Sequence, residues 1–136
     1  MKKEEAKQLN GLVLAYMGDT VFESFVREII IAGTASGHVI DMHKNSIKIV
    51  NCKTQSKFID YLDEFLTDEE KYIIKRGQNT KSHSVPKNAD RLTYQRATGF
   101  EALIGYLHLS EQTERLGEIF DRLRPQIETI LKETKK

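Results

Sequence analysis

The sequence predicts an all-α domain, and three observations carry that prediction. Apolar residues recur at the three- and four-residue spacing of amphipathic helices, whereas the period-two alternation of strands is nearly absent. Only two prolines and eight glycines interrupt the 136 residues. A chain of this length is predicted to form one domain, with a core large enough to need no crosslinks.

The N-terminal half is predicted to form three helices. Asn10 is a candidate N-cap for a long helix that runs to about Ile31. The apolar residues of this helix nearly encircle its axis, which is typical of a helix at the centre of a domain or in an interface. A second helix is predicted to begin near Asp41. Its predicted inward residues are Met42, Ile47 and Val50. The third helix carries Phe58, Ile59, Leu62 and Phe65.

The C-terminal half is predicted to form three further helices. Thr67 and Glu70 have the spacing of a capping box, which opens a short helix that Gly77 is predicted to end. A polar loop then covers residues 78–88, and the next helix runs from about residue 89 to residue 108. Ser110 is the predicted N-cap of the last helix, which Pro125 breaks or kinks.

Two acidic residues lie where the helical pattern predicts core. Asp19 and Glu101 each stand within an apolar stretch, and no Lys or Arg lies three or four residues from either. Burying an ionised carboxylate without a partner costs several kcal/mol. A cation held between the two acids is the simplest compensation. The alternative for each residue is a place on a helix surface or in a structural ion pair.

Positive charge is concentrated in one segment. Between Lys75 and Arg96 six basic residues stand against the single acid Asp90, so this segment carries +5 while the remaining 114 residues carry −4. Such a basic stretch indicates a contact surface for a polyanion. The alternative is a solvated loop whose lysines have no specific role.

Composition excludes several classes of protein. Cys52 is the only cysteine, so an internal disulfide is impossible and the reducing cytoplasm is the expected compartment. The single cysteine and four scattered histidines offer no zinc-binding pair. No apolar run approaches the ~18 residues that span a membrane, and the charged N-terminus does not have the pattern of a signal peptide.

Four stretches of the sequence resemble motifs of a known enzyme family. LAYMGD (residues 14–19) and FEALIGYL (residues 100–107) are similar to motifs in the endonuclease domain of the ribonuclease III superfamily. Between them, KRGQNTKS (75–82) and PKNAD (86–90) resemble the Mini-III ribonucleases, which consist of that domain alone. The resemblance covers about residues 8–123, so we expect one catalytic domain over residues 1–136 with a C-terminal helical extension.

The resemblance implies a homodimeric endoribonuclease that cleaves double-stranded RNA with Mg²⁺, for which Mn²⁺ is a substitute. The implied substrate is the precursor of large-subunit ribosomal RNA, with a ribosomal protein as a candidate partner that presents it. Asp19 matches the principal catalytic acid of the family, and Glu101 matches a metal ligand. Because water is the expected nucleophile, the products should carry 5′-phosphate and 3′-hydroxyl ends.

The sequence departs from larger members of the superfamily at three usually acidic positions, which here hold Leu12, Ala15 and Thr98. One ion held by the two remaining acids, waters and a phosphate oxygen is chemically adequate, because Mg²⁺ usually binds few protein ligands. Glu23, Thr98 and His108 are candidates for indirect contact with the ion. An ordinary exposed or interface Glu23 and a partly buried, hydrogen-bonded His108 are the favoured alternatives.

Duplex RNA is recognised mainly through its phosphates and 2′-hydroxyls. The basic segment supplies the predicted RNA-binding residues, which are Arg76, Gln78, Asn79, Lys81, Lys87, Asn88 and Arg91. Two other functions stay open. The first is a non-catalytic helical module that binds double-stranded RNA, and the second is a helical bundle that binds an acidic protein.

Overall fold

The computed structural model describes residues 1–33, 37–80 and 90–133, and the regular structure in these three ranges is entirely helical. This confirms the predicted all-α class. The helices are α1 (Lys3–Lys7), α2 (Gly11–Gly33), α3 (Val39–Ile49), α4 (Cys52–Leu62), α5 (Asp68–Asn79), α6 (Arg91–Leu109) and α7 (Thr113–Glu133). None of the helices in the described ranges is long and apolar enough to cross a membrane.

Helix α6 is the centre of the domain. Apart from Glu101, every residue from Ala97 to Leu107 is buried, because α2, α4 and α5 pack around this helix. Helices α3 and α7 complete the core, to which α7 contributes Leu116, Ile119, Leu123 and Ile127. A helix that is apolar on nearly all sides is stable only in such a central place.

Two glycines allow α2 and α6 to pack backbone against backbone. A Cβ atom on Gly18 would overlap the carbonyl oxygen of Glu101. A Cβ atom on Gly105 would overlap the carbonyl oxygen of Leu14 in the same way. Side chains at either position would therefore force the two helices apart.

A cluster of phenylalanines joins three of the helices around α6. The ring of Phe22 on α2 lies 5.0 Å from Phe100 on α6 and 6.1 Å from Phe58 on α4, both in edge-on geometry. Phe58 and Phe100 are 5.9 Å apart. Nearby, Phe25 stacks on Phe120 of α7 at 4.1 Å. Each such pair adds about 0.5–1.5 kcal/mol beyond its buried area.

Two predicted helix starts are confirmed. The Asn10 side chain accepts a hydrogen bond of 2.7 Å from the backbone N–H of Leu12 at the start of α2. Thr67 and Glu70 form the complete capping box of α5. Burial alone would raise the pKa of Glu70, but hydrogen bonds from Arg115 and the Thr67 backbone lower it below its usual range.

Helix α5 does not end at Gly77, as the sequence predicted, but continues to Asn79. Gln78 and Asn79, which were predicted to lie in the polar loop, therefore belong to the helix, and residues 81–88 of that predicted loop lie outside the described residues. The reason is packing, since a Cβ atom on Gly77 would lie only 2.9 Å from the Cα atom of Gly99 on α6. Gly77 serves close helix contact here rather than termination.

The predicted start of the last helix is also wrong. Ser110 is the C-cap residue of α6, and its hydroxyl donates to the Tyr106 carbonyl at 2.6 Å. Helix α7 begins at Thr113 and passes through Pro125 without interruption. The N-terminal lead, for which no helix was predicted, forms α1 and buries Ala6.

The predicted inward face of α3 is correct for Met42 and Val50, which pack against the core, but wrong for Ile47. Ile47 is 64% exposed, whereas Ser46 and Ile49 are buried. The helix starts at Val39, two residues before the predicted start near Asp41. Ile47 follows the buried Ser46 directly, so it is rotated by about 100° from the side that faces the core. Phe65, predicted to lie on the third helix, follows the end of α4 and packs against the domain from a turn.

The glycine contact gives a prediction about stability. Gly105→Ala should lower the free energy of unfolding by about 1–3 kcal/mol, because its methyl group forces backbone movement in a packed core. Gly117→Ala on α7 is the matched control, since its methyl group meets nothing within 4 Å. That variant should gain up to about 1 kcal/mol of helix propensity. Urea unfolding measures both, and equal effects would contradict the packing argument.

Candidate active site

The glycine contact brings the two predicted acids together. Gly18 lies against the backbone of Glu101, and Asp19 is the next residue of α2. The carboxyl groups interact directly, and the pKa of Glu101 is raised to about 9 by burial, by a hydrogen bond to Asp19 and by the charge of Asp19. Residues 82 positions apart in the sequence thus form one acidic pair.

The two acids differ in exposure. Glu101 is partly buried, whereas Asp19 is exposed, so the expectation that Asp19 lies among core residues is wrong. The pair lies at the edge of the contact between α2 and α6, with one carboxyl group turned toward the helices and one open to solvent. Such a site can be reached by an ion or by a substrate phosphate.

The acidic pair has no cationic partner in the described part of the chain, where neither acid belongs to a salt bridge. The structure thus favours the paired interpretation over a structural ion pair. Two carboxylates this close cannot both stay ionised without compensation, so they hold a proton or a cation.

The donor set fits a hard divalent cation. Carboxylate oxygens are the ligands that Mg²⁺ prefers, and the ion usually keeps several waters with only one or two protein carboxylates. Among the described residues no third His, Cys, Asp or Glu joins the pair. The arrangement therefore suits an ion that leaves most of its coordination positions to water and to a substrate phosphate.

Of the three candidates for indirect metal contact, two form hydrogen bonds within their own helices and one is exposed. Glu23 accepts a hydrogen bond of 2.9 Å from Arg27, one turn along α2. The hydroxyl of Thr98 donates to the Tyr94 carbonyl at 3.0 Å, within α6. His108 is exposed, so the expectation of a partly buried histidine is wrong. Indirect metal contact by these residues stays a prediction.

Helix α4 contributes a residue to the site that sequence reasoning missed. Gln55 is only 4% exposed, and its side-chain amide hydrogen-bonds to Glu101 and opposes the rise in the Glu101 pKa. Cys52, one turn earlier, has a pKa raised by burial and then by the charge of Glu101. The sequence does offer one signal for Gln55: it is a polar residue three positions before the core residue Phe58, which places it on the same side of the helix.

The predicted RNA-binding residues are only partly described. Arg76 donates to the Lys7 carbonyl and, at 2.9 Å, to the Leu9 carbonyl, so its guanidinium group ties α5 to the N-terminal segment. Asn79 and Arg91 are exposed at the end of α5 and the start of α6, while Gln78 is partly buried. Lys81, Lys87 and Asn88 lie outside the described residues.

Comparison with known proteins identifies the family. The model of the ribonuclease III domain matches residues 12–112, and the chain therefore belongs to the ribonuclease III family of endoribonucleases. Within that family it is a member of the Mini-ribonuclease 3 group. Mini-ribonuclease 3 of Clostridium tetani is 47% identical over 117 residues, which cover 86% of this chain and 78% of the relative.

Two further comparisons agree with this assignment. Mini-ribonuclease 3 of Enterococcus faecalis is 45% identical over 85% of this chain and 88% of its own length. The crystal structure of a protein from Fusobacterium nucleatum superposes with a TM-score of 0.73 at 29% identity. The superposition covers 84% of this chain and 90% of the other.

The raised pKa of Glu101 predicts how stability depends on pH. Its pKa rises from the ordinary 4.5 to about 9 on folding, so the folded state binds the extra proton between these values. Stability should then fall as pH increases from about 5 to 9 in EDTA. Glu101→Gln, which mimics the protonated form, should remove this loss and melt higher than wild type at pH 8.

Thermal melts of both proteins across that pH range test the prediction. Glu28→Gln is the matched control, because Glu28 is an exposed residue of the same helix α2. A wild-type protein whose difference from Glu101→Gln is the same at pH 5 and pH 9 would contradict the assigned cause.

Proposed function

We propose that this protein is a metal-dependent endoribonuclease that cleaves double-stranded RNA through Asp19 and Glu101. The observation that carries the proposal is the pairing of these carboxyl groups from α2 and α6 without a cationic partner in the described ranges. The Mini-ribonuclease 3 relatives support the choice of RNA. Maturation of the large-subunit ribosomal RNA precursor is the proposed process, and the cytoplasm is the proposed compartment.

The chain's own residues hold the reacting groups in place. When bound, Mg²⁺, or Mn²⁺ as its substitute, supplies a Lewis acid that activates water and offsets charge on the phosphate. Glu101 would give up its proton to solvent on cation binding, because the positive charge would offset the effects of burial and of Asp19 that raise its pKa. Asp19 faces solvent and can reach an incoming phosphodiester.

The reaction forms one bond and breaks one bond. The oxygen of water attacks the phosphorus atom, the bond from phosphorus to the 3′-oxygen breaks, and that oxygen takes up a proton. The products then carry a 5′-phosphate and a 3′-hydroxyl, and the ribose 2′-hydroxyl takes no part as a nucleophile.

Binding of duplex RNA is assigned to the basic segment between Lys75 and Arg96. Within this segment, Asn79 at the end of α5 and Arg91 at the start of α6 are exposed. Lys81, Lys87 and Asn88 complete the proposed surface. Arg76 has a structural role in fixing α1, so its contribution to RNA binding is secondary.

The proposed assembly is a homodimer that uses the exposed part of α2. Val13 is 49% exposed and Tyr16 is 80% exposed on the helix that carries Asp19. Large apolar side chains in one exposed row are typical of interfaces. Two copies would present two acidic pairs to one duplex, with a ribosomal protein as a further proposed partner. Sedimentation showing a monomer at micromolar concentration would contradict the dimer.

Substitution of the acids tests the catalytic proposal. Asp19→Asn and Glu101→Gln should each reduce cleavage of a perfect RNA duplex by at least about a hundredfold, because each removes a charge that holds the ion. Binding of the duplex in Ca²⁺ should persist. Glu28→Gln, which changes the same charge on the exposed surface of α2, should cleave like wild type.

The same assay distinguishes the alternative function. Wild-type protein that binds the duplex but does not cut it in Mg²⁺ or Mn²⁺ is a non-catalytic RNA-binding module. Cleavage at wild-type rates by either acid variant would instead refute the assigned site while keeping the activity.

Salt dependence tests the basic segment separately. Each phosphate that a lysine neutralises adds about −0.9 to the slope of log K against log salt concentration. Lys81→Ala combined with Lys87→Ala should weaken binding to every duplex and flatten the slope by roughly two. Lys44→Ala with Lys132→Ala is the control, because both lysines are exposed on other helices. Equal slopes for the two double variants would refute the assigned surface.

A further inference from the structure

Helix α4 brings a third polar side chain to the acidic pair. Gln55 is 4% exposed and lies on a helix that packs along α6. A buried amide requires hydrogen-bond partners, because leaving it unpaired costs roughly 1–3 kcal/mol. Glu101 on the neighbouring helix α6 is close enough for this amide to oppose the rise in the Glu101 pKa, and it is the partner we assign to the amide. The described part of the chain contains few other buried polar side chains, namely Ser46, Ser56, Glu70 and Thr98.

The phenylalanine cluster fixes the place of this amide. Gln55 stands three residues before Phe58, one turn away on the same side of α4. Phe58 contacts the rings of Phe22 and Phe100 at 6.1 and 5.9 Å. Because Glu101 follows Phe100 directly, the cluster that joins α4 to α6 also sets the distance between the amide and the carboxyl group.

The phenylalanine cluster also fixes the position of Asp19, the third polar side chain of the group. Asp19 stands three residues before Phe22, so α2 and α4 present Asp19 and Gln55 in equivalent positions relative to their rings. The two side chains therefore approach Glu101 from two helices. One brings a negative charge, and the other brings an uncharged N–H donor.

We propose that Gln55 is a positioning residue for Glu101, whose amide donates to one carboxylate oxygen and orients the carboxylate toward a divalent cation. This inference rests on the proposed function. A rigid donor reduces the rotamer freedom that cation binding must otherwise restrict, and it leaves the remaining oxygen lone pairs available. Loss of a residue that orients a metal ligand commonly costs 10- to 100-fold in metal affinity or activity.

Replacement of the amide by a side chain of similar size tests the proposal. Gln55→Met keeps most of the volume but removes the donor, so Mn²⁺ binding measured by calorimetry without RNA should weaken 10- to 100-fold. At fixed Mg²⁺, kcat should fall and recover in part at higher Mg²⁺, while KM for the duplex changes less than twofold. Ser56→Ala, a buried polar change on the same helix, should alter neither quantity.

A second measurement uses the intact site. The side-chain amide resonances of Gln55 in the wild-type protein should shift when Mg²⁺ is added and should differ in Glu101→Gln. This readout decides the question if Gln55→Met does not fold, and unchanged resonances in both comparisons would overturn the proposal.

The outcomes separate the inference from the proposed function. Wild-type protein that neither binds Mn²⁺ nor cleaves RNA would refute the proposed function. Wild-type protein that does both, beside a Gln55→Met variant with Mn²⁺ affinity within twofold of wild type, would refute only the role of Gln55.

Discussion

The close contact between α2 and α6 is the constraint on which the site depends. Gly18 and Gly105 let the two backbones approach to a distance that no side chain would permit. Asp19 follows Gly18 directly, and Glu101 offers its carbonyl group at the point of contact, so the acidic pair forms wherever this crossing forms. The geometry of the proposed site is therefore set by the packing of α2 against α6.

Packing of this kind holds the two acids together at a cost in stability. The burial of Glu101 and its proximity to Asp19 both disfavour the ionised form. The structure tolerates this because the surrounding contacts are strong, namely the phenylalanine cluster and a nearly continuous buried face on α6. A cation bound between the two carboxyl groups would therefore stabilise the site, because it would offset the repulsion between their negative charges.

Local chemistry made much of the fold predictable. The Asn10 cap, the box of Thr67 and Glu70, and the all-α class depend on neighbours within one turn, and the structure confirms all three. The predicted helix end at Gly77 and the predicted N-cap at Ser110 are wrong because the roles of both residues depend on other parts of the fold. The first gives room to α6, and the second closes the end of that helix. The role of Gln55 is not predictable from its neighbours in the sequence for the same reason, since Glu101 lies on a different helix.

The basic segment and the acidic pair are connected through rigid elements. The first residues of the segment belong to α5, where the Thr80 hydroxyl donates to the Arg76 carbonyl and Arg76 itself is anchored to the N-terminal backbone. Its last residues belong to α6, whose first turn is capped by Asp90, eleven residues before Glu101. Both ends of the proposed RNA surface are thus fixed to helices that pack on each other. Helix packing would therefore place a duplex held on the proposed surface relative to Glu101, so that binding and cleavage would use one face of this small domain.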